Sequence, residues 1–149
     1  MDDYAAFAES QLKAAGYRLT RTRRVIIEAL AHADRALSPY AIIDRIRSGG
    51  TAASAAGSAP DVVTVYRVLD LLETMDLAHR VHTVSGYVAC SRPRVDGCHH
   101  HPVICAQCGR IAEIDGHRIE MLTDPAGADG WTITGHVLEF SGLCPDCQA

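Results

Sequence analysis

Apolar residues recur at helical spacing along the first half of the chain and predict four helices. Residues 2–15 are acidic at the start and rich in alanine, which is typical of a helix. Thr20 is placed to cap a second helix that continues to about Ala31, with an inward face of Val25, Ile26 and Leu30. Ser38-Pro39 predicts the start of a third helix, because a capping residue precedes a proline, and its apolar face is Ala41, Ile42 and Ile46.

The fourth helix has the clearest pattern and is predicted from Asp61 to Leu77. Its inward positions follow i, i+3, i+4, i+7 and i+10: Val62, Val65, Tyr66, Leu69 and Leu72. The opposite face carries Thr64, Arg67 and Leu71. Before this helix, residues 48–60 are uncharged, small residues with one proline, and they predict a flexible loop.

After the helices, the pattern changes to short runs that predict strands. Residues 79–83 and 86–90 flank a Ser85-Gly86 turn, which indicates a hairpin. Helices followed by a two-stranded hairpin are the outline of a winged helix–turn–helix. Beyond Cys90, strands are expected at 101–105, 110–114 and 131–140, with a helix from His117 to Leu122 or further. The predicted fold class is therefore α+β, a winged helix–turn–helix domain followed by a small α/β domain.

Composition divides the chain at the same place. Its 149 residues suffice for one or two small domains, and the net charge of −4 belongs entirely to residues 83–149. All six cysteines and five of the eight histidines also lie beyond residue 82. An acidic start without a hydrophobic signal segment, and no apolar run of about 18 residues, predict a cytoplasmic chain outside the membrane. Cysteines in the cytoplasm are reduced, which favours metal binding.

Two Cys-x-x-Cys pairs, separated by 35 residues, are the strongest chemical signal. A two-residue spacer lets both thiolates of one pair reach one ion, and two pairs complete a tetrahedral zinc site. Two disulfides or a redox dithiol are the alternative interpretation. The predicted structural site is closed, so it holds the C-terminal part together: Cys105, Cys108, Cys144 and Cys147.

The remaining ligand residues are sorted by strand alternation into two further tetrahedral sets. A turn at Ser85-Gly86 or one residue earlier places the first set's two wing residues on one face and at one end of the hairpin. The first set is His79, Cys90, His100 and Glu113. The second set lies within the C-terminal part: His99, His101, Glu120 and His136. Cys98 is a further candidate, and a lone histidine such as His136 is equally interpreted as a hydrogen-bonded core residue.

The predicted fourth helix is the candidate for reading DNA in the major groove. Arg67 projects away from the core, and arginine bound to guanine is the commonest specific contact. Thr64 shares that face, and Tyr40 lies near a helix N-terminus where its hydroxyl can reach phosphate or base. Arginines before and within the second helix are candidates for phosphate contacts: Arg18, Arg21, Arg23 and Arg24. A solvated helix face, or a protein-binding module, is the alternative.

Several stretches together resemble the ferric uptake regulator (Fur) superfamily of bacterial metal-dependent repressors: Arg18–Arg23, Val63–Arg67, His99–His101, Ile104–Gly109 and Cys144–Cys147. The resemblance implies a winged-helix domain at 1–90 with its wing at about 79–90, a hinge at 91–98 and a dimerisation domain at 99–149. It also implies a structural zinc in the dimerisation domain and a regulatory metal between the domains. Arg67 and Tyr40 match positions that contact the operator.

Within the superfamily, the chain is most similar to zinc uptake regulators (Zur), which have a histidine at the start of the wing and a cysteine at its end. His79 and Cys90 match those positions, and a thiolate ligand favours zinc over iron or manganese. The resemblance implies a homodimeric repressor that binds a pseudo-palindromic operator with roughly two to three zinc ions per chain.

One departure is Pro102, where many members have histidine, so the regulatory histidine is His100 or His99, or is replaced by Cys98. An iron, manganese or peroxide sensor is the alternative. A zinc hydrolase is a remote one, because no His-Glu-x-x-His motif is present.

Overall fold

The computed structural model describes residues 2–49, 58–90, 100–115, 130–132 and 137–148. It divides into two compact units, Met1–Pro93 and Arg94–Ala149. The predicted hinge at 91–98 and the predicted helix after His117 lie outside the described residues, as does most of the predicted loop at 48–60. Across the described ranges, no helix has the length and hydropathy needed to cross a membrane.

Four helices form most of the N-terminal unit, and each begins where the sequence predicts: α1 Asp2–Ala14, α2 Arg21–Ala31, α3 Pro39–Arg47 and α4 Val62–Thr74. Side-chain oxygens accept from the first free amides of three of them. Thr20 Oγ1 accepts from Arg23 N at 3.3 Å, and Ser38 Oγ accepts from Ala41 N at 3.1 Å. Asp61 caps α4 through Thr64 N at 3.0 Å. The predicted starts are therefore confirmed.

The core of this unit is built from the apolar faces of all four helices. Helix α4 buries Val65, Val68, Leu69 and Leu72, and full burial of each such side chain is worth about 1.5–3 kcal/mol. Tyr66 was expected in this core and is instead 43% exposed, so that prediction is wrong. Val68 takes its place because positions 65, 68, 69 and 72 form one stripe, with Tyr66 outside its edge.

A two-stranded antiparallel wing follows α4: β1 Ala78–Val81 and β2 Gly86–Ala89. The ladder pairs His79 with Val88 and joins odd to even positions, as predicted. The turn is longer than predicted, because Val81 pairs with Gly86 and residues 82–85 connect the strands.

Gly86 is not a turn residue; it opens β2. A Cβ at Gly86 would lie 2.9 Å from Ala36 Cβ. Its absence allows the backbone of Leu37 to approach and exchange two hydrogen bonds of 2.9 Å with Tyr87.

The C-terminal unit contains a three-stranded sheet of order β4-β3-β5: β3 His100–Cys105, β4 Ile111–Asp115 and β5 Phe140–Gly142. Strand β3 pairs antiparallel with β4 and parallel with β5. The predicted strand at 131–140 is wrong over residues 131–132 and 137–139, which are described outside any strand, while 133–136 lie outside the description. Pairing with β3 begins only at Phe140 and continues to Gly142. The Gly142 carbonyl then accepts a hydrogen bond from Ala106 N at 2.8 Å.

Candidate metal centres and nucleic-acid interface

The four predicted structural cysteines converge in the C-terminal unit. The sulfur atoms of Cys105, Cys108, Cys144 and Cys147 all lie within 4.8 Å of one another. The Cys108 and Cys144 sulfurs are 3.6 Å apart. Tetrahedral zinc with Zn–S bonds of about 2.3 Å requires sulfurs about 3.8 Å apart. All four are free thiols in the structure, an arrangement that fits a zinc cage.

Two turns of the backbone create this convergence. Cys105 ends β3, its N–H donates to Arg110 O at 2.8 Å, and its carbonyl accepts from Gly109 N at 2.9 Å. Gly109 has φ +73°, a left-handed conformation that glycine adopts without strain. Cys144 precedes a 3₁₀ turn at Pro145–Cys147, and its carbonyl accepts from Cys147 N at 2.9 Å. Each turn thus brings the two sulfur atoms of its cysteine pair close together, on the same side of the turn.

Hydrogen bonds and burial shift the pKa values of two cage cysteines, Cys105 and Cys147, in opposite directions. Backbone amides, that of Cys108 first and that of Cys144 second, lower the pKa of Cys105 to about 6. The Cys144 N–H donates to Cys105 Sγ at 3.3 Å. By contrast, a side-chain hydrogen bond with Cys144, together with burial, raises the pKa of Cys147 to about 12. A divalent metal at this point would favour the thiolate form of Cys147 as well as that of Cys105, because metal ligands must be deprotonated.

A surface ion pair ties the two cysteine turns together. Arg110 follows the first turn, and its guanidinium donates to the carboxylate of Asp146, inside the second turn. The bond to Asp146 raises the pKa of Arg110. Sequence reasoning did not identify this pair, because its partners are 36 residues apart and belong to no spacing pattern.

The wing holds a second cluster of candidate ligands. His79 lies on β1 and Cys90 directly follows β2, and their ligand atoms are within 4.8 Å of each other. Cys90 is 2% exposed and His79 is half-buried. The odd-to-even ladder places both on one face at the open end of the hairpin, as the sequence predicted. An imidazole and a thiol at this separation can bind one soft or borderline cation.

The C-terminal sheet positions the other two residues of the predicted regulatory set. Glu113 is half-buried on β4, opposite Pro102 of β3. Position 100 opposes Asp115, so positions 100 and 113 share one face of this sheet.

The predicted third site is described at a single residue. His101 is buried in β3, 6% exposed, on the face opposite to that of position 100. His99, Glu120 and His136 lie outside the described residues, as does the alternative ligand Cys98.

The exposed face of α4 carries the candidate DNA-reading residues. Arg67 is exposed, and Val63 and Tyr66 are 55% and 43% exposed on the same helix. Asp70 and Glu73 are also exposed, further along α4, and their charge disfavours approach of phosphate there. The N-terminal half of α4 is therefore the part suited to enter a groove. Tyr66 was missed because its position was assigned to the core stripe.

Thr64 has a different contact from the predicted one. Its hydroxyl donates to Asp61 Oδ2 at 2.6 Å, while its backbone N–H donates to Asp61 Oδ1. A hydroxyl has one proton to donate, so this contact competes with donation to phosphate or base. The hydrogen bonds from Thr64 also lower the pKa of Asp61.

The remaining candidate DNA contacts surround α2 and α3. Tyr40 is 65% exposed in the first turn of α3. The Arg23 guanidinium lies 5.5 Å from the centroid of the Tyr17 ring and donates to the carbonyl of Arg18, whose side chain is exposed. Arg24 forms an ion pair of 3.6 Å with Glu9. Arg23 is thus held beside the Arg18 backbone and against the ring of Tyr17, a residue that the sequence analysis did not select.

Comparison with known proteins gives a consistent set of similarities. The family model described as "Ferric uptake regulator family" matches residues 14–141. The ferric uptake regulation protein of Neisseria meningitidis is 31% identical over 142 residues, covering 94% of this chain and 92% of that protein. The zinc uptake regulation protein of Escherichia coli K12 is 29% identical over 131 residues, covering 87% of this chain and 72% of that protein.

A solved structure is similar over nearly the whole chain. It is a zinc uptake regulator complexed with zinc and DNA, and it matches with a TM-score of 0.78 at 27% identity. The match covers 97% of this chain and 92% of that one.

Proposed function

Since the chain belongs to the ferric uptake regulator family, we propose that it is a zinc-responsive, homodimeric repressor of genes for zinc uptake and homeostasis. Members of this family are metal-responsive, DNA-binding transcriptional regulators and not enzymes, so the zinc-hydrolase alternative is set aside. As a DNA-binding regulator it would act in the cytoplasm.

The observation that carries the choice of zinc is the pairing of Cys90 with His79 at the base of the wing. A buried thiol becomes a strong ligand only as a thiolate, which zinc stabilises better than iron(II) or manganese(II) in a mixed N/S site. The similarity to a zinc uptake regulator bound to zinc and DNA supports the same choice.

The proposed complement is roughly two to three zinc ions per chain. The structural ion is held by the four cysteines of the C-terminal unit. The regulatory ion is held by His79 and Cys90 of the wing together with Glu113 and His100, where His99 or Cys98 is the substitute for His100. The third site comprises His99, His101, Glu120 and His136.

Repression then depends on the distance and angle between the two α4 helices of a homodimer, because both helices must enter the operator's grooves at once. We propose that Arg67 binds a guanine edge, that Tyr40 donates to phosphate or base, and that Arg18 and Arg23 contact phosphate. The hydroxyl of Thr64 is bonded to the capping carboxylate of Asp61, so Thr64 supports DNA binding indirectly, by fixing the start of α4. Half-site spacing on a pseudo-palindrome fixes the required separation of the two helices.

The regulatory zinc is the sensed ligand. When it is bound by residues of both domains, it restricts the wing-bearing domain to the arrangement that DNA requires. Zinc and operator therefore strengthen each other's binding by the same factor, because coupling between two sites is reciprocal. When zinc falls, His79 and Cys90 are released and repression ends.

An iron-responsive regulator is the second candidate. The observation in its favour is the 31% identity to a protein named as a ferric uptake regulator, slightly above the identity to the zinc regulator. Cys90 discriminates between them, because an iron(II) sensor requires N/O ligands at the wing.

The test is metal analysis of the purified dimer, followed by titration of the weaker sites with zinc, iron(II) and manganese(II). Operator binding is the readout. Zinc should switch on operator binding at a lower free concentration than iron(II) or manganese(II). One zinc per chain, in the cysteine cage, should not exchange. Activation by iron(II) in preference to zinc would contradict the proposal.

A further inference from the structure

The peptide groups of Leu77 join three elements of the N-terminal unit. The Leu77 N–H donates to Leu72 O, near the end of α4, at 2.8 Å. The Leu77 carbonyl accepts two hydrogen bonds, from the Tyr4 hydroxyl of α1 at 2.8 Å and from Cys90 N at 3.0 Å. The Leu77 side chain is 1% exposed. Helix α1, helix α4 and the open end of the wing therefore meet at one buried point.

Cys90 depends on this carbonyl for its position. The wing ladder ends at the Ala78–Ala89 pair, and Cys90 is the next residue. Beyond that pair, the bond from Cys90 N to Leu77 O extends the ladder by one step. Ends of hairpins fray more readily than their centres, so the orientation of the Leu77 carbonyl sets the backbone position of Cys90.

Tyr4, on α1, donates a hydrogen bond to that carbonyl and restricts its orientation. Its ring is 7% exposed, and its hydroxyl reaches across 73 positions of sequence to Leu77. Burial, and to a smaller extent the neighbouring Cys90 thiol group, raises the pKa of Tyr4. The phenol is therefore neutral at physiological pH and remains a hydrogen-bond donor.

We propose that Tyr4 is a positioning residue for the sensing site: through the Leu77 carbonyl, its hydroxyl holds the Cys90 thiol in the place from which it binds metal. This inference rests on the proposed role of Cys90 as a regulatory ligand. It gives α1 a part in sensing, although α1 supplies no ligand. Residues that orient metal ligands commonly change metal affinity by about 10–100-fold when they are mutated, because they restrict the ligand before the metal binds.

Tyr4→Phe tests the inference, because it removes the hydroxyl and keeps the ring. Tyr87→Phe is the matched control: Tyr87 is 3% exposed in the same unit, on the wing face opposite to that of Cys90. Cys90→Ser is the reference for loss of the ligand. In each full-length dimer with its four-cysteine zinc retained, two quantities are measured. They are the zinc affinity of the regulatory site, by chelator competition, and the exchange rate of the Cys90 amide without regulatory metal.

Tyr4→Phe should weaken zinc binding about tenfold and speed exchange at the Cys90 amide by a similar factor. Tyr87→Phe should change neither quantity by more than about twofold. Faster exchange with unchanged zinc affinity would overturn the inference, since Tyr4 would then stabilise the fold alone. If Cys90→Ser itself binds zinc as the wild type does, the proposed function has failed and the inference with it. Loss in Cys90→Ser together with normal binding in Tyr4→Phe would refute the inference alone.

Discussion

The two units of this chain are stabilised by different physical means. The N-terminal unit buries a continuous set of aliphatic side chains from α1 to α4. The described part of the C-terminal unit has few buried apolar residues, among them Ile104, and gathers four thiols at one point. A core loses stability gradually as atoms are removed, whereas a metal cage depends on every ligand.

This difference places the proposed sensing ligands of the wing in a unit that should not need metal to fold. The proposed wing ligands His79 and Cys90 belong to the unit with the apolar core, so we expect them to gain and lose metal without unfolding it. The cage cysteines belong to the other unit, whose folding we expect to be coupled to metal binding. A sensor needs an exchangeable site on a stable support, and the N-terminal unit provides that support.

The largest effect should come from breaking the cage. Cys144→Ser should release the structural zinc and unfold the C-terminal unit, because zinc binding in such sites supplies about 10–16 kcal/mol of apparent free energy. Loss of dimerisation follows. Zinc content and sedimentation check this, with Cys90→Ser as the control that keeps the four-cysteine zinc and the dimer. A Cys144→Ser protein that remains a dimer with full zinc content would contradict the cage assignment.

A cavity in the apolar core should have a smaller effect, confined to the other unit. Leu69→Ala removes a fully buried side chain and should lower the free energy of unfolding by about 2–5 kcal/mol. Far-ultraviolet circular dichroism follows α1–α4, and a zinc indicator follows the cage. Val63→Ala, at an exposed position of the same helix, is the control. Release of zinc together with helix loss in Leu69→Ala would mean that the units are not independent.

Operator binding sharpens the comparison within the N-terminal unit. Arg67→Ala should cost about 1–3 kcal/mol against the operator and relax preference at one base pair. Arg18→Ala should instead weaken binding to all sequences and reduce the salt slope by about one. Fluorescence anisotropy on operator and random duplexes measures both. An unchanged ratio of operator to random affinity in Arg67→Ala would show that α4 does not read bases.

The smallest effect concerns acid and the start of α4. Thr64 hydrogen bonds hold the pKa of Asp61 below its ordinary value of 3.8, so ionised Asp61 stabilises the folded state. Because the folded pKa is depressed, this contribution is complete above the ordinary value and is lost as pH falls through the folded one. The melting-temperature advantage of wild type over Asp61→Ala should therefore shrink below about pH 4. An advantage that persists at about pH 2 would show that Asp61 acts through packing and not through its charge.

Periodic and spaced features were predictable from the sequence. Helix starts followed from the capping residues Thr20, Ser38 and Asp61, because a cap is a local interaction. The cage followed from two short spacers, because each places both ligands of a pair on one turn. The odd-to-even pairing of the wing followed from the position of its turn, although the turn proved to be four residues long.

Features set by distant contacts were not predictable. Gly86 was assigned to the turn, but its role is to admit the backbone of Leu37 beside Tyr87. The strand after residue 130 was placed too early, because its register is set by β3 and the cysteine turns. Tyr66 was placed inside because residue type cannot distinguish the edge of an apolar stripe from its centre. The bond of Tyr4 to Leu77 spans 73 positions and has no local signature.

The most direct test of zinc sensing through Cys90 is operator binding measured against buffered free zinc, for wild type and Cys90→Ser. Both proteins must first be shown to retain one four-cysteine zinc per chain. The serine hydroxyl does not ionise near neutral pH, so the variant should lose zinc-dependent binding while its fold is unchanged. Superimposable curves would contradict the account: Cys90 would then be an ordinary buried cysteine, and the regulator would respond to another metal or signal.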